Sequence, residues 1–203
     1  MNTQLRIGHF SPDAPAVNVS ANGDTLLEDV SFGALSEYME VDAGSYDVEV
    51  APEAGGDAVI SATLELDDDT DYTVLAVGTL ADIEPLVVTD DRPSIGDDES
   101  RVRFVHTAPD APAVDILADG AMLFENIAFG ASADFATVGS GSHDIEVRPN
   151  GSADVVLSRP GIDFDGATAY TVLATGTLAG ETLDATVAAD YVWTEADDRM
   201  ATA

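Results

Sequence analysis

Apolar and polar residues alternate in several short stretches of the chain. In Tyr46–Val50, Tyr and Val alternate with Asp and Glu, and His143–Val147 has the same period. A period of two places one set of side chains in a core and the other in water, which is typical of a half-buried β-strand. The block Thr73–Val77 and its counterpart Thr171–Thr175 are apolar on both faces, which indicates a central strand covered on two sides.

Turn signals separate these stretches. Asn22-Gly23 and Asp119-Gly120 are the residue pairs that two-residue hairpin turns favour, because both positions need a positive φ. Strand-like runs recur at roughly 8–12 residues, a spacing typical of sandwiches. No segment has a sustained helical period. The pattern predicts an all-β protein made of Ig-like or Greek-key β-sandwiches of about seven strands each.

The chain contains one sequence unit twice. HFSPDAPAVN (His9–Asn18) recurs as HTAPDAPAVD (His106–Asp115), 97 residues later. YTVLAVGTLA (Tyr72–Ala81) recurs as YTVLATGTLA (Tyr170–Ala179), 98 residues later. The difference means that one residue has been inserted between the two blocks of the second copy.

This repeat predicts two tandem domains, at residues 1–90 and 101–190. Residues 91–100 contain Pro93, Gly96 and an acidic run with few apolar residues, which is typical of a linker. Residues 191–203 are predicted to form an acidic C-terminal tail. The sequence leaves open whether the two domains pack together and whether the chain forms oligomers.

The chain is strongly acidic, which indicates the kind of surface it has. The 203 residues include 39 acidic and 7 basic ones, all seven of them Arg, for a net charge of −32. The Debye length is about 8 Å at physiological salt and about 3 Å at 1 M, so molar salt screens such repulsion. A hydrophobic fraction of 45% argues against a disordered acidic chain. We interpret the composition as adaptation to brine, and it excludes nucleic acid and anionic lipid as partners.

Other classes are excluded by what the sequence lacks. Without cysteine there is no disulfide framework, thiolate metal site or cysteine nucleophile. No apolar run reaches the ~18 residues of a membrane helix, so no membrane span is expected. The first residues run straight into a strand pattern with no secretion leader, which keeps a cytoplasmic location open.

The repeated motifs resemble a known family. Each copy contains Arg-x-x-His-x-x-Pro-Asp-Ala-Pro-Ala-Val, then Phe-Gly, and later Tyr-Thr-Val-x-Ala-x-Gly, a combination that resembles the DUF4397 domain in tandem, of the haloarchaeal type. The resemblance covers residues 4–89 and 101–189. The second copy departs from the first in having Gly-Ser-His at 141–143 where the first has Gly-Ser-Tyr at 44–46. The resemblance implies a secreted or cell-surface β-sandwich without an assigned activity.

The Pro-Asp-Ala-Pro segment is the most distinctive local feature. Proline fixes φ, and an aspartate can accept hydrogen bonds from backbone amides in a tight turn. We therefore predict a structural turn between the first two strands of each copy rather than a ligand site. The turn residues are Pro12, Asp13, Pro15, Pro109, Asp110 and Pro112.

His9 and His106 are weak candidates of unknown role at the end of the first strand of each copy. A neutral histidine that is hydrogen-bonded at a strand end is the first interpretation, and a metal ligand or proton carrier is the alternative. The acidic run at residues 67–71 lacks the order of a calcium loop and is interpreted as a solvated loop. We expect no metal and no cofactor.

Motifs for enzyme chemistry are missing. The sequence has no Gly-x-Ser-x-Gly, no His-Glu-x-x-His, no phosphate-binding loop and no lysine. We therefore expect a non-catalytic scaffold or adhesion protein at the cell surface or outside the cell of a halophile, with protein or glycan partners. A module that binds glycans or small ligands is the alternative, and an uncharacterised hydrolase with paired carboxylates is the second alternative.

Overall fold

The computed structural model describes residues 3–90, 92 and 94–194 of the chain. It consists of two compact units, residues 1–91 and 92–203, which are called the first and second module below. The described residues contain sixteen β-strands and one short 3-10 turn, which confirms the all-β prediction. In this part of the chain no helix has the length and apolarity needed to cross a lipid bilayer.

The first module is a sandwich of two four-stranded sheets, with strand orders β4-β1-β7-β8 and β3-β2-β5-β6. Neighbouring strands are antiparallel, except that β1 and β7 run parallel. A 3-10 turn at Leu80–Asp82 lies between β7 and β8. The strands are β1 (Thr3–His9), β2 (Val17–Ala21), β3 (Asp24–Val30), β4 (Met39–Val41), β5 (Gly44–Pro52), β6 (Ile60–Leu66), β7 (Asp71–Val77) and β8 (Glu84–Asp90).

The second module repeats this arrangement, with strand orders β12-β9-β15-β16 and β11-β10-β13-β14. Each module thus has eight strands, where the sequence pattern predicts about seven. The short edge strands β4 and β12 have too few residues to show a period. The strands are β9 (Glu99–His106), β10 (Val114–Ala118), β11 (Ala121–Ile127), β12 (Ala136–Gly139), β13 (Gly141–Pro149), β14 (Leu157–Phe164), β15 (Thr168–Thr175) and β16 (Asp184–Val192).

Each core lies between the two sheets of a module. The central strands β7 and β15 are buried along nearly their whole length, as the apolar blocks predict. The first core is made mainly of Val, Leu and Ile, whereas the second includes two buried phenylalanines, Phe104 and Phe164. The two copies thus share a framework but fill it with side chains of different size.

The predicted hairpin turns are present in both modules. Asn22 and Gly23 have φ values of 52° and 86°, and Asp119 and Gly120 have values of 51° and 78°. Positive φ at both central positions is the geometry of a type I′ turn, whose twist matches that of the flanking strands.

The structure locates the inserted residue of the second copy. In the first module Tyr46 pairs with Leu64 and Val48 with Ala62, so one residue of β6 lies opposite Asp47. In the second module His143 pairs with Ile162 and Ile145 with Arg159, so Pro160 and Gly161 both lie opposite Asp144. Gly161 has a φ of 70°, and its N–H donates to Asp144 Oδ1 at 2.9 Å. The insertion is therefore a β-bulge in an edge strand.

Within the segment predicted as a linker, residues 95–100 contribute to the second module. Glu99 and Ser100 begin β9, and Ile95 is buried. The sequence pattern did not predict this strand start. Glu99 and Ser100 are strand residues because they pair with β12, and their side chains show no strand period. In the segment predicted as a tail, Tyr191 and Val192 belong to β16 and the Trp193 N–H donates to the Ala167 carbonyl at 2.6 Å. Residues 195–203 lie outside the described part of the chain.

Candidate functional site

The two sequence blocks that are repeated almost unchanged meet at one end of each module. Because β1 and β7 run parallel, the Pro-Asp-Ala-Pro turn after β1 and the Gly-Thr-Leu-Ala loop after β7 leave the sheet at the same end. We call this end, with its four loops, the loop end. It consists of residues 10–16, 31–38, 53–59 and 78–83 in the first module and 107–113, 128–135, 150–156 and 176–183 in the second.

A carboxylate connects the two blocks. Asp13 Oδ1 accepts a hydrogen bond from the Leu80 N–H at 2.7 Å. In the second module Asp110 accepts from the N–H groups of Leu178 and Ala179, at 2.7 and 2.8 Å. Slight desolvation acts to raise the pKa of Asp110, but the amides of Ala179 and Leu178 outweigh it and lower the pKa. The turn residue therefore bonds amides more than 60 positions away, a partner that turn chemistry alone does not reveal.

Each Pro-Asp-Ala-Pro segment contains a turn. Residues 12–14 and 109–111 form turns between the first two strands of their modules. The Ala14 N–H donates to the Ser11 carbonyl, and the Ala111 N–H to the Ala108 carbonyl, both at 3.4 Å. The carbonyls of Pro15 and Pro112 each contact a histidine ring, described next.

His9 and His106 are almost completely buried, with exposed fractions of 1% and 0%. His9 Nε2 lies 3.0 Å from the Pro15 carbonyl, and the Ser11 N–H lies 3.5 Å from His9 Nδ1. Since a carbonyl only accepts and an amide only donates, Nε2 carries the proton and Nδ1 is the acceptor. Burial lowers the pKa of His9, and the Pro15 hydrogen bond offsets this only in part.

His106 has the same arrangement with Pro112 and Ala108, at 3.1 and 3.3 Å, and burial lowers its pKa too. Both rings are thus neutral clamps that hold the turn against the end of β1 or β9. With both nitrogens directed at backbone groups, these rings offer no ready position for a metal ion or a reacting proton.

Apolar side chains project from the loop ends. Phe32 and Leu80 of the first module are each 40% exposed, and Val155 and Leu178 of the second are 45% and 37% exposed. The backbone beneath them is hydrogen-bonded, with the Gly33 N–H donating to the His9 carbonyl at 2.8 Å. The loop end therefore presents apolar groups on a hydrogen-bonded backbone.

The sequence analysis missed a buried polar network in each module. Arg6 Nε donates to Thr73 Oγ1 at 3.0 Å, and the Thr73 hydroxyl donates to Asp90 Oδ2 at 2.6 Å. The Tyr38 hydroxyl donates to the same oxygen at 2.8 Å, and the Arg6 guanidinium lies 4.6 Å from the centre of the Tyr38 ring. One carboxylate thus receives two hydroxyl hydrogen bonds close to a buried cation.

The second module repeats the network with one change. Arg103 Nε donates to Thr171 Oγ1 and the Thr171 hydroxyl to Asp190 Oδ2, both at 2.7 Å. Arg103 Nη2 lies 3.9 Å from the same carboxylate oxygen, and Phe135 takes the place of Tyr38. The repeated Arg and Asp residues were a signal for such a pair, but only the fold shows that they meet. The network supports a structural role, because its donors and acceptors bond one another.

The acidic run at residues 67–71 is hydrogen-bonded to the first residues of β1. The Thr3 hydroxyl donates to the Asp67 carbonyl at 2.6 Å, and the Gln4 N–H donates to Asp71 Oδ1 at 3.2 Å. Throughout residues 3–90, 92 and 94–194, no three His, Asp or Glu side chains are grouped so as to hold a metal ion.

The opposite end of the second module has a histidine that lies between two hydrogen-bond acceptors. His143 Nδ1 lies 2.7 Å from Asp119 Oδ2, and Nε2 lies 2.8 Å from the Gly139 carbonyl. Both partners only accept, so the ring makes both hydrogen bonds only when doubly protonated. Partial burial lowers the pKa of His143, but the hydrogen bonds to Asp119 and Gly139 outweigh it and raise the pKa above 6.5. In the first module the Tyr46 hydroxyl takes the equivalent bond, to the Asp42 carbonyl at 2.8 Å.

This difference predicts a component of the pH dependence that the second module alone has. Folding raises the pKa of His143, so the protonated ring stabilises the folded state. This contribution to the free energy of unfolding is complete below the ordinary pKa of 6.5 and disappears as pH rises through the pKa of the folded state. We expect the melting temperature of the second module to fall across that window. The double variant His143→Tyr/Asp119→Asn, which carries the first module's residues, should show a smaller fall. Calorimetry in molar KCl at stepped pH tests this, and equal slopes for the two proteins would contradict it.

Comparison with solved structures finds distant likeness over most of the chain. CBMbc (family CBM26) from Eubacterium rectale Amy13K, in complex with maltoheptaose, is 12% identical, with 96% of this chain and 98% of that chain covered and a TM-score of 0.28. A streptococcal virulence factor that binds alpha-glucan is 12% identical, with 89% and 95% covered and a TM-score of 0.29. A candidate cell adhesion protein from Bacteroides ovatus ATCC 8483 is 9% identical, with 96% and 99% covered and a TM-score of 0.28. Likeness at this level does not extend to a site or an activity.

Sequence comparison is more specific. No curated protein is significantly similar to this chain. The profile of one family, "Domain of unknown function (DUF4397)", matches two overlapping segments, residues 3–117 and 100–201. These segments contain both repeats of the motif built around the proline-flanked turn, and together they span nearly the whole chain. The chain therefore belongs to the DUF4397 family.

Proposed function

We propose that this protein is a non-catalytic adhesion or scaffold protein at the cell surface, or outside the cell, of a halophile. The observation that carries the proposal is the loop end. Two blocks repeated almost unchanged in sequence meet there, and they hold exposed apolar side chains on a hydrogen-bonded frame. The chain contains two such ends, and two linked contact surfaces raise avidity when both engage the partner.

Charge restricts the partner. A net charge of −32 provides no electrostatic attraction to nucleic acid or anionic lipid, so the partner that we propose is a neutral or basic surface. Apolar contacts such as those of Phe32 and Leu80 retain their strength in molar salt, whereas ion pairs are screened. A contact made by apolar side chains therefore suits a protein that functions in brine.

Glycan binding is the second candidate, and Phe32 is the observation that favours it. An aromatic ring that is 40% exposed on a hydrogen-bonded loop can pack against the face of a sugar ring. Catalytic turnover by a hydrolase has less support from the residues at the loop end. The two buried histidines direct both nitrogens at backbone groups, and Asp13 and Asp110 accept from backbone amides.

Binding and turnover assays on the full chain in molar KCl test these functions together. The probes are an array of neutral glycans, isolated envelopes of halophilic cells, and model ester and glycoside substrates. We expect saturable binding to envelopes or glycans and no turnover. The double variant Phe32→Ser/Leu80→Ser should bind about tenfold more weakly, since both changes remove apolar contact area.

Val87→Ser is the matched control, because Val87 is 43% exposed but lies in β8, outside the loop end. It should bind like the wild type. An equal loss in the control would place the contact surface elsewhere. Saturable glycan binding would select the second candidate, saturable turnover would show a hydrolase, and no binding to any probe would contradict the adhesion proposal.

A further inference from the structure

The first module contains an apolar cavity between its two sheets. Its volume is about 50 Å³. Side chains of both sheets line it, among them Ile7 and Val74 from one sheet and Val19, Val48 and Leu66 from the other. The cavity therefore occupies the position where the two inner faces of the sandwich should interdigitate.

The second module has larger side chains at equivalent positions of the same framework. Strand register makes Phe104 the counterpart of Ile7, and Phe164 the counterpart of Leu66. Both phenylalanines are 1% exposed and belong to the second core. Ile116 and Ile145 likewise replace Val19 and Val48. Three lining positions change the other way, Leu5 to Val102, Tyr46 to His143 and Pro85 to Ala185. At the positions of Ile7, Val19, Val48 and Leu66, the first module thus lacks the bulk that the second module has between its sheets.

Water is a poor occupant of this cavity. A buried water needs two to four polar partners, and the lining side chains are almost all aliphatic. Its two polar members are already engaged, the Tyr46 hydroxyl with the Asp42 carbonyl and the His9 ring with backbone groups. An apolar cavity of this kind stays dry and accepts apolar guests.

We propose that the first module binds a small apolar molecule without hydrogen-bonding groups between its sheets, and that the second module does not. Since about 10–15 Å³ of such space holds one water, the cavity accepts a guest the size of xenon or of a short alkyl chain. The site is separate from the loop end, so the proposal stands or falls independently of the adhesion function.

Xenon is the probe. Crystals of the full chain, grown in molar KCl and pressurised with xenon, should show a xenon atom among Ile7, Val19 and Val48 and none at the equivalent place in the second module. Ile7→Phe, which inserts the second module's residue, should abolish this peak. Phe104→Ile, the reciprocal change, should create a new peak in the second module.

Methyl NMR of the full chain supplies a second measurement that does not depend on the variants. On addition of xenon, the methyl resonances of Val19 and Val48 should shift, and those of Ile116 and Ile145 should shift at least about tenfold less. The proposal is overturned if the wild type shows no xenon between the sheets of the first module, if a folded Ile7→Phe variant retains it, or if both modules respond equally.

Discussion

Replacing Gly8 with valine should destabilise the first module by about 3 kcal/mol, which lowers its melting temperature by on the order of 10 °C. Gly8 lies in β1, where a Cβ would come within 2.7 Å of a Phe10 ring carbon and 2.8 and 2.9 Å of methyl carbons of Leu35 and Leu75. Phe10 and Leu75 are completely buried and Leu35 is partly buried, so the added atoms force a shift of the surrounding structure. Calorimetry of the full chain in molar KCl, in which the two modules can unfold separately, measures the loss.

The second module provides the control for this prediction. At the positions of Gly8, Phe10 and Leu35 it has Val105, Thr107 and Ser132, so one larger residue accompanies two smaller ones beside it. The Thr107 hydroxyl also donates to the Ala174 carbonyl at 2.6 Å, a bond that a threonine at position 10 could make to Ala76. The triple variant Gly8→Val/Phe10→Thr/Leu35→Ser should therefore recover most of the lost stability. A single variant as stable as the wild type, or a triple variant no better than the single, would refute the packing argument.

Transfer from multimolar KCl to physiological salt should destabilise both modules by several kcal/mol. The net charge of −32 on 203 residues brings many carboxylates close together. Unit charges 4 Å apart repel by about 1 kcal/mol in water, and the Debye length grows from about 3 Å at 1 M to about 8 Å at physiological salt. Melting temperature measured over a series of salt concentrations should rise steeply with salt.

Sodium and potassium chloride serve as controls for each other in this experiment. General screening predicts nearly equal curves for the two salts, whereas a specific cation site would make them differ at low concentration. A melting temperature that stays flat from low to multimolar salt would contradict the interpretation of the composition as adaptation to brine.

Much of the fold could be predicted because it depends on short patterns of adjacent residues. The alternation in Tyr46–Val50, the turn pair Asn22-Gly23 and the apolar block Thr73–Val77 each depend on a few adjacent residues. The structure shows each of them where the pattern places it. The edge strand β4 and the start of β9 escaped prediction because pairing with a neighbour, not side-chain period, makes them strands.

The candidate site could be predicted only in part. The sequence pointed to Asp13 and His9, but not to their partners Leu80 and Pro15, since a repeat shows that residues are retained and not what they contact. The Asp90 carboxylate went unnoticed among 39 acidic residues, because nothing in its immediate sequence distinguishes a buried carboxylate from a solvated one.

The sequence by itself determined the β class, the duplication, the hairpin turns and the charge, since these depend on composition and on neighbours along the chain. Only the tertiary structure decided which distant groups meet: the loop end held by Asp13, the network of Arg6, Thr73 and Asp90, and the cavity beside Ile7. The physical reason is that close packing and buried hydrogen bonds are properties of atoms in space, and the same side chains satisfy or violate them according to how the sheets are paired and stacked.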